Sequence, residues 1–171
     1  MASMTITTHS QVRAGTYRID TAGSQIAFRA TGLFGLPVRG TFAIREGRVD
    51  VTTAGAGSTV WAIVDLGSFA SNNRRRDADV KSRRFLDVAN FPDLIFNGRS
   101  VGVGHPVEGT LDRLGTSAPS ALRVESAERT PTGYAVTATA RVDRYALGVT
   151  GGKGIVGRYV DLTLRVALTA A

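Results

Sequence analysis

Cysteine is absent from the 171 residues, which removes thiol catalysis, disulfides, iron–sulfur clusters and cysteine-based zinc sites together. Histidine is scarce: His9 falls in a polar N-terminal stretch and His105 stands beside Pro106 in a predicted loop. Two histidines that far apart do not make a His-rich metal site, so no metal and no cofactor is expected. Long hydrophobic runs are missing as well. The longest uninterrupted aliphatic or aromatic run, Val60–Val64, falls well short of the ~18 residues of a membrane-crossing helix. The opening stretch MASMTITTHSQVRAG contains no apolar segment of signal-peptide type, and the expected location is cytoplasmic. Lysine is nearly absent, since nineteen of the 21 cationic side chains are Arg. Against 14 acidic residues these give a formal net charge of +7. A basic surface of this kind attracts nucleic acid, anionic lipid and acidic small molecules alike.

What the chain has in quantity is period-two alternation. Ser24, Ile26, Phe28 and Ala30 share one face, and Val38, Gly40, Phe42 and Ile44 another. Tyr134, Val136, Ala138, Ala140 and Val142 repeat the pattern, as do Val160, Leu162, Leu164, Val166 and Leu168. Successive side chains in a strand point to opposite faces, so each run reads as a strand with one apolar and one polar side. Val60, Ala62, Val64 and Leu66 make a fifth apolar face, with weaker strands at about 16–21, 94–103, 107–111 and 120–128. Asn97–Gly98 reads as a bulge rather than a hairpin turn, because Leu94 and Phe96 are out of phase with Val101 and Val103. Ser71–Phe91 breaks the alternation, and Asp77 or Asn73 is placed to cap a short helix there. About eight antiparallel strands with a short helical insertion near 67–90 predict an all-β fold. Closure into a barrel is favoured because it removes exposed edges. One domain is expected over 15–171, after a flexible tail over 1–14.

Catalytic patterns are thin. G-x-S-x-G is absent and neither His is set on a strand, which argues against a Ser–His nucleophile. The run Thr150–Gly154, TGGKG, lacks the spacing of a phosphate loop and reads as a Gly-rich connection. The cluster Arg74, Arg75, Arg76, Lys81, Arg83 and Arg84 carries a net +4 over 74–84. It reads either as a solvated helix face or as a clamp for phosphate or a lipid headgroup. No aromatics interleave with these arginines as stacking on nucleic-acid bases requires, so no nucleic-acid partner is expected. The apolar interior is either a self-filled core or a ligand cavity, and the small inward residues Gly40, Ala62, Ala138 and Ala140 are compatible with both.

The order of these features resembles the YceI-like family, the lipocalin-like polyisoprenoid-binding barrels. The match runs through Tyr17-Arg-Ile19-Asp20, Ser24-Gln-Ile26-Ala-Phe28 and Gly40-Thr-Phe42 to Val64-Asp65 and Ser68. It continues with Arg76-Asp77, Phe85-Leu86-Asp87, Phe91-Pro92-Asp-Leu94-Ile-Phe96, Gly109-Thr-Leu111 and Arg144-Tyr145-Ala-Leu147-Gly148. The chain departs from the family at Gly23, Thr31 and Asp79, where the family often has His. The resemblance implies carriage of a long isoprenoid chain, polyprenyl or quinone-type, or a similar amphiphilic lipid, without catalysis. The residues assigned to ligand binding are Phe28, Leu33, Phe34, Phe42, Ile44, Val64, Phe85, Phe91, Phe96, Tyr134, Val136, Ala138, Leu162 and Leu164. Leu33, Phe34 and Leu36 form an apolar lip, and Arg76, Arg83 and Arg84 are assigned to an anionic headgroup. Transient contact with a membrane surface and a homodimer are the further partners considered. Two other functions stay open: a lipid-acting enzyme on the same barrel, and a protein- or nucleic-acid-binding module using the basic exterior.

Overall fold

A computed structural model describes residues 12–52, 57–101 and 105–171. Eight antiparallel strands follow one another around a closed barrel: β1 (Gly15–Thr31), β2 (Pro37–Val51), β3 (Ser58–Ala70), β4 (Asp93–Ser100), β5 (Val107–Arg113), β6 (Thr116–Thr130), β7 (Gly133–Asp143) and β8 (Tyr159–Ala170). β8 pairs back onto β1, from Tyr17↔Ala170 to Ala30↔Val160, so every strand has two neighbours and no edge is left open. The all-β barrel expected from the alternation is the fold observed. Because the strands run up and down in order, the connections alternate between the two ends. The connections β1–β2, β3–β4, β5–β6 and β7–β8 share one end, which also carries a short 3-10 turn (Leu33–Gly35) and the α-helix α1 (Arg74–Lys81). The chain's first described residues and the other three connections share the opposite end.

Bulges set which side chains face inward. On β2, Ile44 pairs with Val64 and Glu46 with Ile63, so Arg45 is the extra residue. The phase flips there. Phe42 and Ile44 line the interior before the bulge and Val49 and Val51 after it, while Arg45 bridges Asp65 at 3.2 Å and Asp93 at 2.5 Å. The segments read as separate strands at 16–21 and 24–30 are one strand, β1. Its register against β8 shifts between Asp20 and Gln25. Ser24 stitches that irregularity, its hydroxyl donating to the Asp20 carbonyl at 2.6 Å and accepting the Ala167 N–H at 2.9 Å. The expected bulge at Asn97–Gly98 does not form. β4 keeps an unbroken register with β3 from Ser58↔Ser100 to Asp65↔Asp93, and with β5 across Gly98↔Gly109. The apparent phase change is the end of the strand: Val101 lies beyond it and is exposed, and Val103 lies outside the described residues. Gly98 itself faces the Phe96 ring, where a Cβ would come within 2.6 Å of Cζ.

The helix is shorter than the predicted insertion. Asn73 caps it, its side-chain oxygen accepting the Arg76 N–H at 3.0 Å. Asp77 lies in the first turn and accepts a hydrogen bond from the Ser71 hydroxyl at 2.5 Å. Phe85 and Leu86, expected on the helix, follow it in the turns over 83–90.

Candidate ligand cavity

In a closed barrel of eight strands about one side chain in two faces the interior. Here those side chains surround a cavity of about 1510 Å³. Its walls run the length of the barrel, from Leu33, Leu36 and Val80 at the helix end to Val12, Val51 and Pro106 at the other. Residue size creates the space: Ala62 on β3 and Ala138 and Ala140 on β7 hold inward positions that a larger side chain would fill. The cavity splits the packed core into two. One cluster gathers Ile26, Phe42, Val64 and Phe69; the other gathers Phe96, Leu111, Val142 and Leu147. Leu86, Leu94 and Leu162 pack against both.

Of the residues assigned to ligand binding from sequence, Phe28, Leu33, Phe42, Ile44, Val64, Phe85, Phe96, Val136, Ala138, Leu162 and Leu164 line this cavity, as does Arg76. The others lie outside the lining. Phe34 adopts a left-handed backbone (φ 57°) that turns its ring outward, 90% exposed. Phe91 sits beneath the Arg113 guanidinium, 3.8 Å from its ring centroid. Tyr134 packs edge-on against Tyr17 at the end away from the helix, centroids 5.7 Å apart. Arg83 and Arg84 are exposed just past the helix, Arg84 lying over the Phe85 ring at 5.4 Å.

Val12, Arg13 and Ala14, assigned to the tail from sequence, line that same end of the cavity. The Tyr17 hydroxyl donates to the Arg13 carbonyl at 2.7 Å, and the Arg13 N–H donates to the Tyr134 hydroxyl at 3.1 Å. Burial beside a second phenol pushes the Tyr17 hydroxyl above its ordinary pKa. The rest of the expected tail, His9 included, lies outside the described residues.

Polar side chains reach the cavity mainly at its ends. Arg76, Asp79 and Arg144 do so at the helix end and Arg13, Thr52, Ser58, Ser100 and His105 at the opposite end, while Ser120, Arg123 and Glu125 line the cavity along β6, Arg123 at its midpoint. The two carboxylates, Asp79 and Glu125, therefore do not face each other across the cavity. Asp79 lines the mouth, whereas Gly23 and Thr31 are exposed and outside the lining. Among the described residues no group of three His, Cys, Asp or Glu side chains clusters as a metal site.

Two buried arginines that sequence reasoning gave no role shape the helix end. Arg144 holds the connection over 144–158 by donating to four of its own carbonyls: Nε to Gly157 at 2.8 Å, Nη1 to Val149 at 2.9 Å and Gly151 at 2.7 Å, and Nη2 to Val156 at 3.0 Å. Arg113 donates to the carbonyls of Leu147 at 3.2 Å and Leu86 at 2.9 Å, tying that connection to the segment after α1. No carboxylate neutralises either by a salt bridge among the described residues, and burial lowers the pKa of both guanidiniums. A signal for each was present. Arg113 is in phase with inward Val107 and Leu111, and Arg144 opens a stretch with five glycines and no acid, whose carbonyls need donors. The TGGKG run lies in this connection, with Gly151 bound by Arg144 and the Lys153 ammonium over the Tyr145 ring.

The fold has solved relatives at low identity. BcnA of Burkholderia cenocepacia superposes with a TM-score of 0.73 at 20% identity, covering 90% of this chain and 99% of that one. A polyisoprenoid-binding domain from Saccharophagus degradans, implicated in plant cell wall breakdown, gives 0.67 at 15% identity, covering 91% and 98%. A Campylobacter jejuni YceI protein gives 0.58 at 14% identity, covering 78% and 85%. No curated protein matches the sequence. The family model for the YceI-like domain matches residues 17–168, from the Tyr17 strand through Leu168 on β8. The chain belongs to the YceI-like family.

Proposed function

We propose that this barrel holds one long apolar chain, an isoprenoid of polyprenyl or quinone type or a similar amphiphilic lipid, and keeps it from water. The observation that carries the proposal is the cavity: about 1510 Å³, continuous, and walled mainly by aliphatic and aromatic side chains. At ~24 cal/mol per Å³ a void of that size would cost about 36 kcal/mol, more than the ~5–15 kcal/mol that stabilises a whole domain. The space is therefore filled in solution. Buried water needs about three hydrogen-bond partners each, and Phe28, Phe42, Val136 and Leu162 offer none. Hydrocarbon replacing that water gains about 25 cal/mol per Å² of apolar surface covered. The name of the Saccharophagus degradans domain, polyisoprenoid binding, points to the same ligand class.

Burial of one isoprene unit is worth about 4 kcal/mol gross, at ~0.8 kcal/mol per carbon. Eight units would exceed the ~18–21 kcal/mol ceiling of non-covalent affinity, so gross burial does not set chain length. Arg76 lines the mouth, and in this reading its guanidinium meets an anionic end group. Native mass spectrometry of freshly purified protein, with organic extraction, tests the reading. The expected result is one lipid per barrel, released into solvent. Protein of bare mass, with nothing extractable and no uptake of added polyprenyl lipid, would overturn it.

A further inference from the structure

The two ends of the barrel differ in a way the cavity does not require. The four connections at the helix end hold nine cationic side chains against three acidic ones, a net +6 of the chain's formal +7. The three connections at the other end hold no Lys, Arg, Asp or Glu. Arg74, Arg75, Arg76 and Arg83 are exposed, and none forms a salt bridge among the described residues.

Exposed apolar side chains follow the same asymmetry. Among the described residues, seven large ones are exposed. Leu33, Phe34, Leu36, Leu114 and Ile155 lie in connections at the helix end, Tyr159 opens β8 at that end, and Val101 alone lies at the other. Phe34 is the extreme case. Its positive φ is unfavourable for a bulky residue, and the backbone bonds Gly32 N–H to Leu36 O (2.7 Å) and Leu36 N–H to Leu33 O (3.2 Å) close the loop beneath it. A ring that is 90% exposed gains little packing in return for that conformation.

We infer that the helix end docks on an anionic lipid bilayer, with Leu33, Phe34 and Leu36 entering the boundary between headgroups and acyl chains and the arginines of α1 resting on the headgroups. An apolar tip within a cationic surround complements a bilayer, which offers hydrocarbon beneath anions. A nucleic-acid duplex keeps its bases stacked inside, a single strand offers flat bases to Phe34 but nothing to Leu33 and Leu36, and a second copy of this end would oppose like charges. Since Leu33 and Leu36 also line the cavity, docking opens its mouth onto the bilayer. The surface does not depend on what fills the cavity.

The test is flotation of the full chain with vesicles of phosphatidylcholine, with and without phosphatidylglycerol. Binding to the anionic vesicles alone, weakened by salt, is expected. Phe34→Ser should reduce partitioning about tenfold, the loss of one buried large apolar side chain. Arg74→Gln, Arg75→Gln and Arg83→Gln together should reduce it about a hundredfold, at about fivefold per cation. Val101→Ser, the same kind of change at the other end, should leave it unchanged. Equal loss with Val101→Ser, or Phe34→Ser floating as the parent does, would overturn the assignment. So would failure to float with salt-sensitive binding to an oligonucleotide, or failure to float with a dimer that Phe34→Ser dissolves.

Discussion

Replacing Arg144 by Leu should loosen the helix end of the barrel. The guanidinium serves four carbonyls of one connection, and hydrogen bonds to a charged group are worth about 1.5–3 kcal/mol each. At the lower value four bonds amount to about 6 kcal/mol gross. Two opposing effects reduce this. Gly151, Val156 and Gly157 are only half-buried, so water reaches their carbonyls in the variant, and removing a buried cation also removes its desolvation cost. A net loss of about 3 kcal/mol is expected, a drop of about 6–12 °C in Tm at ~2–4 °C per kcal/mol for a domain of this size. Arg144→Lys should recover little of it, because an ammonium keeps the charge but not the planar fork that reaches several carbonyls at once. Calorimetry gives the Tm, and amide exchange over 145–158 shows whether the loss begins there. A Leu variant within about 0.5 kcal/mol of the parent, or a Lys variant equal to it, would refute the reasoning.

Asn73→Ala should cost about 1 kcal/mol by removing the helix cap, and Asp77→Ala at least as much, since it loses the Ser71 hydroxyl bond as well as the helix-dipole interaction; urea midpoints read both, and an Asn73→Ala variant equal to the parent would contradict the observed cap. Gly40→Ala should cost about 1–3 kcal/mol by overpacking, because its Cβ would come within 2.5 Å of the Phe69 ring and 2.9 Å of the Ala70 carbonyl; thermal unfolding reads it. Asp143 accepts hydrogen bonds from the Arg158 guanidinium at 2.9 and 2.8 Å and from the Tyr145 N–H at 3.0 Å, which holds its carboxyl below the ordinary carboxylate pKa. Its folded pKa lies below the unfolded one, so its contribution is complete above about pH 4 and is lost as pH falls through the depressed value. Protection of the Arg144 amide, which donates to the Arg158 carbonyl at 3.1 Å, should fall over that acid window once exchange is corrected for its intrinsic pH dependence, and less steeply in high salt. Asp143→Asn should remove the pH dependence.

Much of the fold was legible because alternation survives wherever one face of a strand is apolar. Phe28, Phe42, Val136 and Leu162 were placed on apolar faces, and all four line the cavity. The failures share a cause: period two counts residues but not register. The Ala22–Gly23 step reads as a break, yet the Ser24 hydroxyl carries the strand through it. The phase slip after Phe96 reads as a bulge and is the end of β4. Within the candidate site, alternation, an apolar loop and the family resemblance assign Tyr134, Phe34 and Phe91 to the ligand, but a neighbouring phenol, a left-handed φ and a stacked arginine send each elsewhere. Arg113 and Arg144 carry a signal in phase and in glycine content, but the role of a cation at an inward position is intelligible only once the carbonyls that receive it are in place.

The most direct test of an apolar chain inside the barrel is to fill the barrel with protein. Ala138→Phe combined with Ala62→Leu places larger apolar groups on the cavity walls, where each added methylene gains about 0.8 kcal/mol if it finds room. The measurement is the affinity of the ligand-free protein for a fluorescent polyene lipid, parent against double variant. A loss of at least about tenfold, ~1.4 kcal/mol, is expected in a variant that unfolds at no lower temperature than the parent. Undiminished affinity in a folded, plugged barrel would place the ligand outside the cavity and contradict the account.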